Sequence, residues 1–226
     1  VSSLPFFAQP LVHNPLPAST PFERTVAYAG TYYGDRYPER SQQLLALMRA
    51  CQRHGLAIFD RQMAIPDSPY HFPAEFEDQV RGALPYNHVL EQYKSHIAQL
   101  NVNSVTNSPT MFSRRVVEIA ASGGVLLSGP GRGITETFGD MIPATDDARR
   151  WRALLYEWFN HPEGRAREAW RQLRPVHRSH TVDTALAILF RTAGIPVQGL
   201  TFDSYAIELD DPASAVVRSI AAQSIL

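Results

Sequence analysis

Cysteine is almost absent from this chain: Cys51 is the single one in 226 residues. That excludes an internal disulfide framework and fits a reducing, cytoplasmic setting. Long apolar runs are missing too, and nothing approaches the roughly 20 consecutive apolar residues of a membrane-spanning helix. Neither sign of charge dominates, with 21 Lys+Arg against 22 Asp+Glu. A nucleic acid or an anionic membrane surface is therefore not the expected partner. Several motifs are also absent. No Gly-x-Gly-x-x-Gly follows the first strand-like segment, no Gly-Lys-Ser/Thr closes a glycine loop, and no Gly-x-Ser-x-Gly is present. These absences disfavour a dinucleotide oxidoreductase, a Walker-type nucleotidase and a serine hydrolase.

The hydrophobic content, 44%, is ample for a packed core. Residues 1–23 carry five prolines and no periodicity, which reads as an extended linker. They hold no basic leader region, and with no initiator Met the chain is expected to be part of a longer one. Strand-like and helix-like segments then alternate. TVAYAG (25–30), LAIFD (56–60), IAQLNVNS (97–104), GVLLS (124–128) and MIPA (141–144) read as strands. Helices are expected over 38–55, opening on Pro38 and closing on Gly55, and over 86–96, 112–122 and 134–140. Three more follow at 146–160, 162–174 and 181–194. This rhythm predicts an α/β fold, a doubly wound and mostly parallel Rossmann-like sheet over residues 24–195, with additional C-terminal helices. Residues 196–226 read as a strand and a helix, a C-terminal extension that begins a further unit.

In such a sheet, ligands bind beyond the carboxyl ends of the strands. Two features stand at those ends. Gly129-Pro-Gly-Arg-Gly133 leads into Ile134-Thr135-Glu136, where glycines allow close approach and free amides at a helix start attract anions. A tight strand-to-helix turn is the plain alternative. On the preceding helix, Arg115, Glu118 and Ser122 share one face. A carboxylate there suits the vicinal hydroxyls of a ribose. The competing reading is an ion pair of Glu118 with Arg114 or Arg115 within the helix. Arg36 and Arg40, after the first strand, are candidates for a diphosphate. His177 and His180 have i, i+3 spacing, but without a third ligand nearby they do not make a zinc site.

The order of these parts resembles the C-terminal half of GT-B glycosyltransferases, and most closely the CgeB-like (spore-maturation type) group. The resemblance is carried by LPFFAQPLVHNP (4–15), VAYAGTYYGDRYPERSQQLLAL (26–47), LPYNHVLEQYKSHIAQLNVNS (84–104), SRRVVEIAASGGVLLS (113–128) and HRSHTVDTAL (177–186). It implies transfer of a sugar from a nucleotide-sugar donor, with no cofactor and no structural metal. The acceptor would be a glycan or another molecule in glycan biosynthesis, held by an N-terminal domain of the same protein. Glu118 falls on the family's ribose carboxylate, Arg115 on its arginine three residues earlier, and Gly131, Gly133, Ile134, Thr135 and Glu136 on the loop at the phosphates and sugar. Tyr86 lies in the segment that lines the base. Asn103, at the end of its strand, and Arg36 complete the expected donor site. One position departs from the pattern: where related enzymes have a carboxylate eight residues before the ribose-binding Glu, this chain has Thr110. The alternative function is therefore a non-catalytic docking module of a larger protein. Residues 203–226 also resemble the opening strand and helix of a GT-A glycosyltransferase.

Overall fold

The computed structural model describes residues 3–196. Four strands form one parallel sheet: β1 (Glu23–Ala29), β2 (Leu56–Phe59), β3 (His96–Asn101) and β4 (Leu126–Ser128), in the order β2-β1-β3-β4. Seven α-helices connect and cover them: α1 (Pro38–Cys51), α2 (Tyr86–Lys94), α3 (Arg115–Ala121), α4 (Arg132–Phe138), α5 (Ala148–Asn160), α6 (Pro162–Ser179) and α7 (Val182–Thr192). The doubly wound α/β architecture is the expected one.

Side-chain alternation explains the layers. On β4 and the residue before it, Val125 and Leu127 face a core with Leu44, Leu47 and Met48 of α1 and Trp151 and Leu155 of α5. Leu126 faces the opposite core, with Val116, Ile119 and Ala120 of α3 and Ile134 and Phe138 of α4. Every residue of β2 and β3 is buried, the state of strands covered on both faces. Helix α1 begins at Pro38, and after one tighter turn Gly55 reverses the chain at φ +81°, a conformation side-chain-bearing residues resist.

MIPA (141–144) does not form a fifth strand; only Ala144 pairs, in a single bridge to Ser128. The reason lies in Gln172 of α6, which is fully buried. Its Oε1 accepts from the Leu126 N–H at 2.7 Å, and its Nε2 donates to the Leu126 carbonyl at 3.1 Å. The side-chain amide occupies the ladder positions another strand would fill. Helix α6 also runs beyond the expected 174, through Pro175 to Ser179. The buried Val176 and the bond from His177 Nε2 to the Ala121 carbonyl, 2.9 Å, hold that last stretch against α3. Strand β3 ends at Asn101 rather than 104.

The proline-rich segment before β1 lies fixed across the domain. Ala8 N–H donates to the His180 carbonyl at 2.7 Å, and Val182 N–H donates to the Ala8 carbonyl at 2.9 Å. Lys94 Nζ donates to the Leu16 carbonyl at 2.7 Å, and Arg165 stacks over the Phe22 ring. One turn at 9–13 carries His13 inward, where it is buried. The extension read from residues 197–226, including the GT-A resemblance, lies outside the described residues.

Candidate functional site

The strand order reverses between β1 and β3, so their carboxyl ends diverge and leave a crevice. A cleft of about 310 Å³ opens there. Its apolar wall is Ala29, Phe59, Leu84 and Val89; its polar lining includes Thr31, Tyr33, Tyr86 and the arginines Arg40, Arg61 and Arg115.

Each arginine is placed by the end of β1. Arg40, buried on the first turn of α1, donates to Tyr28 Oη at 3.0 Å and to the Thr31 carbonyl at 3.3 Å. Arg61, just past β2, donates to Thr31 Oγ1 at 3.1 Å. Arg115, on α3, lies over the Tyr28 ring, 5.0 Å from its centroid. Gly30 makes this possible: a Cβ there would come 2.6 Å from Arg115 Nη2 and 2.9 Å from Tyr28 Oη. None of the three arginines forms an ion pair among the described residues. Arg115 Nη1 is buried without a hydrogen-bond partner. Burial opposes the Arg115 charge, but Tyr28, Tyr93 and Glu118 around it outweigh that and raise its pKa. Burial alone would also push the Tyr28 phenol up; Arg115 and Arg40 bring it below its ordinary value instead. The cleft floor is therefore strongly cationic, with an unused donor.

Glu118 stands behind Tyr86 rather than on the cleft lining, and its carboxylate is engaged. Oε1 accepts from Tyr86 Oη at 2.9 Å and pairs with Arg114 Nε at 2.7 Å, while Oε2 accepts from Tyr93 Oη at 3.3 Å. The intrahelical pair weighed from sequence thus forms with Arg114, whose side chain is 61% exposed and free to swing away. Tyr86 is pushed up to about 12, first by burial and then by the Glu118 charge. His13 joins the same group. Its Nδ1 accepts the Gln9 N–H at 2.9 Å, which leaves the proton on Nε2, 2.8 Å from Tyr86 Oη. Burial lowers the pKa of this ring, and the opposing pull of Glu118 is smaller.

The remaining expected residues gather elsewhere, at the ends of β3 and β4. Asn103 ties the loops together: its Oδ1 accepts from Ser113 N–H at 3.0 Å, and its Nδ2 donates to the Pro130 carbonyl at 3.2 Å. Gly131 is packed on that amide, and a Cβ at Gly133 would collide with the Met111 backbone. Ile134 is a core residue. Thr135 and Glu136 are exposed, Glu136 pairing with Arg132 at 2.6 Å. The Arg132 amide already donates to the Thr106 carbonyl at 2.7 Å. None of this group lines the cleft. Nor does Arg36, which is exposed and lies over Tyr37. The neighbouring Arg40 takes the cleft position.

Arg61 and His13 were not singled out from sequence as site residues, whereas Gly30 and Thr31 stand at a strand end that the carboxyl-edge rule selects. The same rule applied to β2 could have found Arg61, which follows it directly; no local pattern marks His13. Among the described residues no group of three or more His, Cys, Asp or Glu could hold a metal ion.

A doubly wound parallel sheet with a cleft at its reversal point is the fold shared with GT-B glycosyltransferases. Solved structures of that class share the fold at low identity. Sucrose-phosphate synthase from Thermosynechococcus elongatus matches 84% of this chain and 52% of its own, with 16% identity and a TM-score of 0.58. T4 phage BGT, in complex with its UDP-glucose substrate, matches 79% and 51%, with 18% identity and a TM-score of 0.54. S. aureus TarM matches 82% and 38%, with 10% identity and a TM-score of 0.54. The chain thus spans about half the length, or less, of these proteins. No curated protein matches significantly. The glycosyl transferase-like family model covers residues 33–191, and the chain belongs to that family.

Proposed function

We propose that this chain is the donor-binding half of a glycosyltransferase, of hexosyltransferase type and akin to the CgeB-like group, working in the cytoplasm on a glycan or related acceptor. The observation that carries this reading is the trio Arg40, Arg61 and Arg115 at the reversal point of the sheet, with no ion pair among the described residues and one buried donor unused. A diphosphate supplies the missing negative charge. Its base lies against Phe59, Leu84 and Val89, and its ribose reaches Glu118 once Arg114 swings out. The sugar then points toward the 129–136 loop. As the bond to the sugar breaks, charge grows on the leaving diphosphate, where preorganised arginines stabilise it most. Among the described residues, the lining of the cleft contains no carboxylate to act as base. The acceptor and any base are assigned to an N-terminal domain outside this chain.

Thermal shift against UDP, GDP, dTDP, ADP and NAD tests the reading. One nucleoside diphosphate at about 100 times its dissociation constant should stabilise the fold by about 2.7 kcal/mol, with NAD inert. The rival docking module, favoured by the saturated Glu118 carboxylate, requires no shift with any of them. Glu118→Ala should weaken the nucleoside diphosphate by about 1.5–3 kcal/mol, the scale of hydrogen bonds to a charged group. Unchanged affinity by calorimetry would remove Glu118 from the ribose.

A further inference from the structure

We propose that His13 is a positioning residue of this site: through Tyr86 it sets the Glu118 carboxylate for a ribose, and so makes the cleft prefer nucleotides to bare diphosphate. The proposal rests on the reading of the cleft as a donor site.

His13 is a buried histidine in the N-terminal segment. Anchoring that segment does not need it, because backbone pairs at Ala8 and the Lys94 ammonium already tie the chain down. Yet His13 is 2% exposed and uses both ring nitrogens. One is fixed by the Gln9 amide, so the other presents its proton to Tyr86 Oη. The phenol proton is thereby directed to Glu118 Oε1. The chain of donors runs in one direction, from the segment to the carboxylate.

Tyr86 is the element through which this matters. Tyr86 lines the cleft while its hydroxyl is bonded to His13 and Glu118, although the residue is 49% exposed. A half-exposed tyrosine at the start of a helix has freedom to rotate unless its hydroxyl is held. His13 and Glu118 hold it from two sides. The arginine end of the cleft is held by other contacts: Arg40, Arg61 and Arg115 rest on Tyr28 and Thr31, and only Arg115 also feels the Glu118 charge. His13 makes no contact with them and therefore acts mainly on the nucleoside end.

Calorimetry on the full chain with UDP, GDP, dTDP, ADP and inorganic pyrophosphate separates these roles. Wild type should bind one nucleoside diphosphate more tightly than pyrophosphate. His13→Leu should lose about tenfold for that nucleotide, the scale of a hydrogen bond acting on a charged group, and less than about twofold for pyrophosphate. Tyr86→Phe keeps the ring and loses the hydroxyl; it should show the same selective loss, and the double variant no more than either single one. His13→Gln, which retains an N–H donor toward Tyr86, should recover most of the affinity, and it carries the test if the leucine variant does not fold. Equal losses for both ligands, or no loss, overturn the proposal while leaving the donor site standing. A wild type that binds pyrophosphate but no nucleotide more tightly overturns the ribose assignment and this proposal together. A wild type that binds none of the five ligands overturns the donor cleft itself.

Discussion

Replacing Gln172 with leucine is expected to lower stability by about 2–5 kcal/mol, because two backbone groups of β4 lose their partners at once. The Leu126 N–H and carbonyl point away from β3 and are met by the Gln172 amide. A leucine of similar size fills the space and satisfies neither. A buried polar group without a partner costs about 1–3 kcal/mol, and Gln172 is fully buried. For a domain of this size each kcal/mol lowers Tm by about 2–4 °C, so a drop of about 4–20 °C is expected. Urea denaturation should show a lower midpoint with an unchanged slope. Gln172→Glu keeps an acceptor for the Leu126 N–H but loses the donor to its carbonyl, and it places a second carboxylate beside Glu168. It should be damaged as well. A loss below about 1 kcal/mol in the leucine variant would mean that another group can satisfy the β4 edge.

Arg115→Met is expected to have the opposite profile: nucleoside diphosphate affinity falls by about 2–5 kcal/mol, the scale of truncating one side of a buried charge pair, while the fold keeps its stability. Without ligand, Arg115 packs on the Tyr28 ring as a half-buried side chain. It has no ion pair among the described residues and leaves its buried Nη1 unpartnered. A methionine of comparable length avoids burying that charge, and replacing buried charge with apolar side chains is often neutral or stabilising. Arg115→Lys should fall between, since it keeps the charge but loses the planar fork. Melting curves and calorimetry on the same samples check both halves. Strong destabilisation with unchanged affinity would make Arg115 a structural residue and remove it from the cleft.

The two variants show what was legible beforehand. Gly55, the apolar stripe of α1 and the alternation of strands with helices are local signals, and the parallel sheet was readable from them. The loss of MIPA as a strand was not, because its place goes to a glutamine on α6, 46 residues after Leu126. Arg115 and Tyr86 were assigned from resemblance, and both line the cleft. Choosing between Arg36 and Arg40 required knowing which face of the β1–α1 connection turns inward, and that depends on Tyr28, Thr31 and Gly30 together. The glycines at 131 and 133 were read as allowing close approach. The approach visible in the structure is that of Asn103 and the Met111 backbone.

The pairing of Ala8 with residues 180 and 182 bears on the order of events during synthesis. Ala8 leaves the ribosome about 170 residues before its partner strand segment exists. At about 5–20 residues per second that interval is roughly 10–35 s. The sheet and the Lys94 anchor beside His13 can assemble within it, but the Ala8 pairs cannot form until α6 ends. A nascent chain stalled before residue 180 would therefore carry its arginines already set and its N-terminal segment held at one end only, so the last turn of translation in this region is the step that fastens the other end.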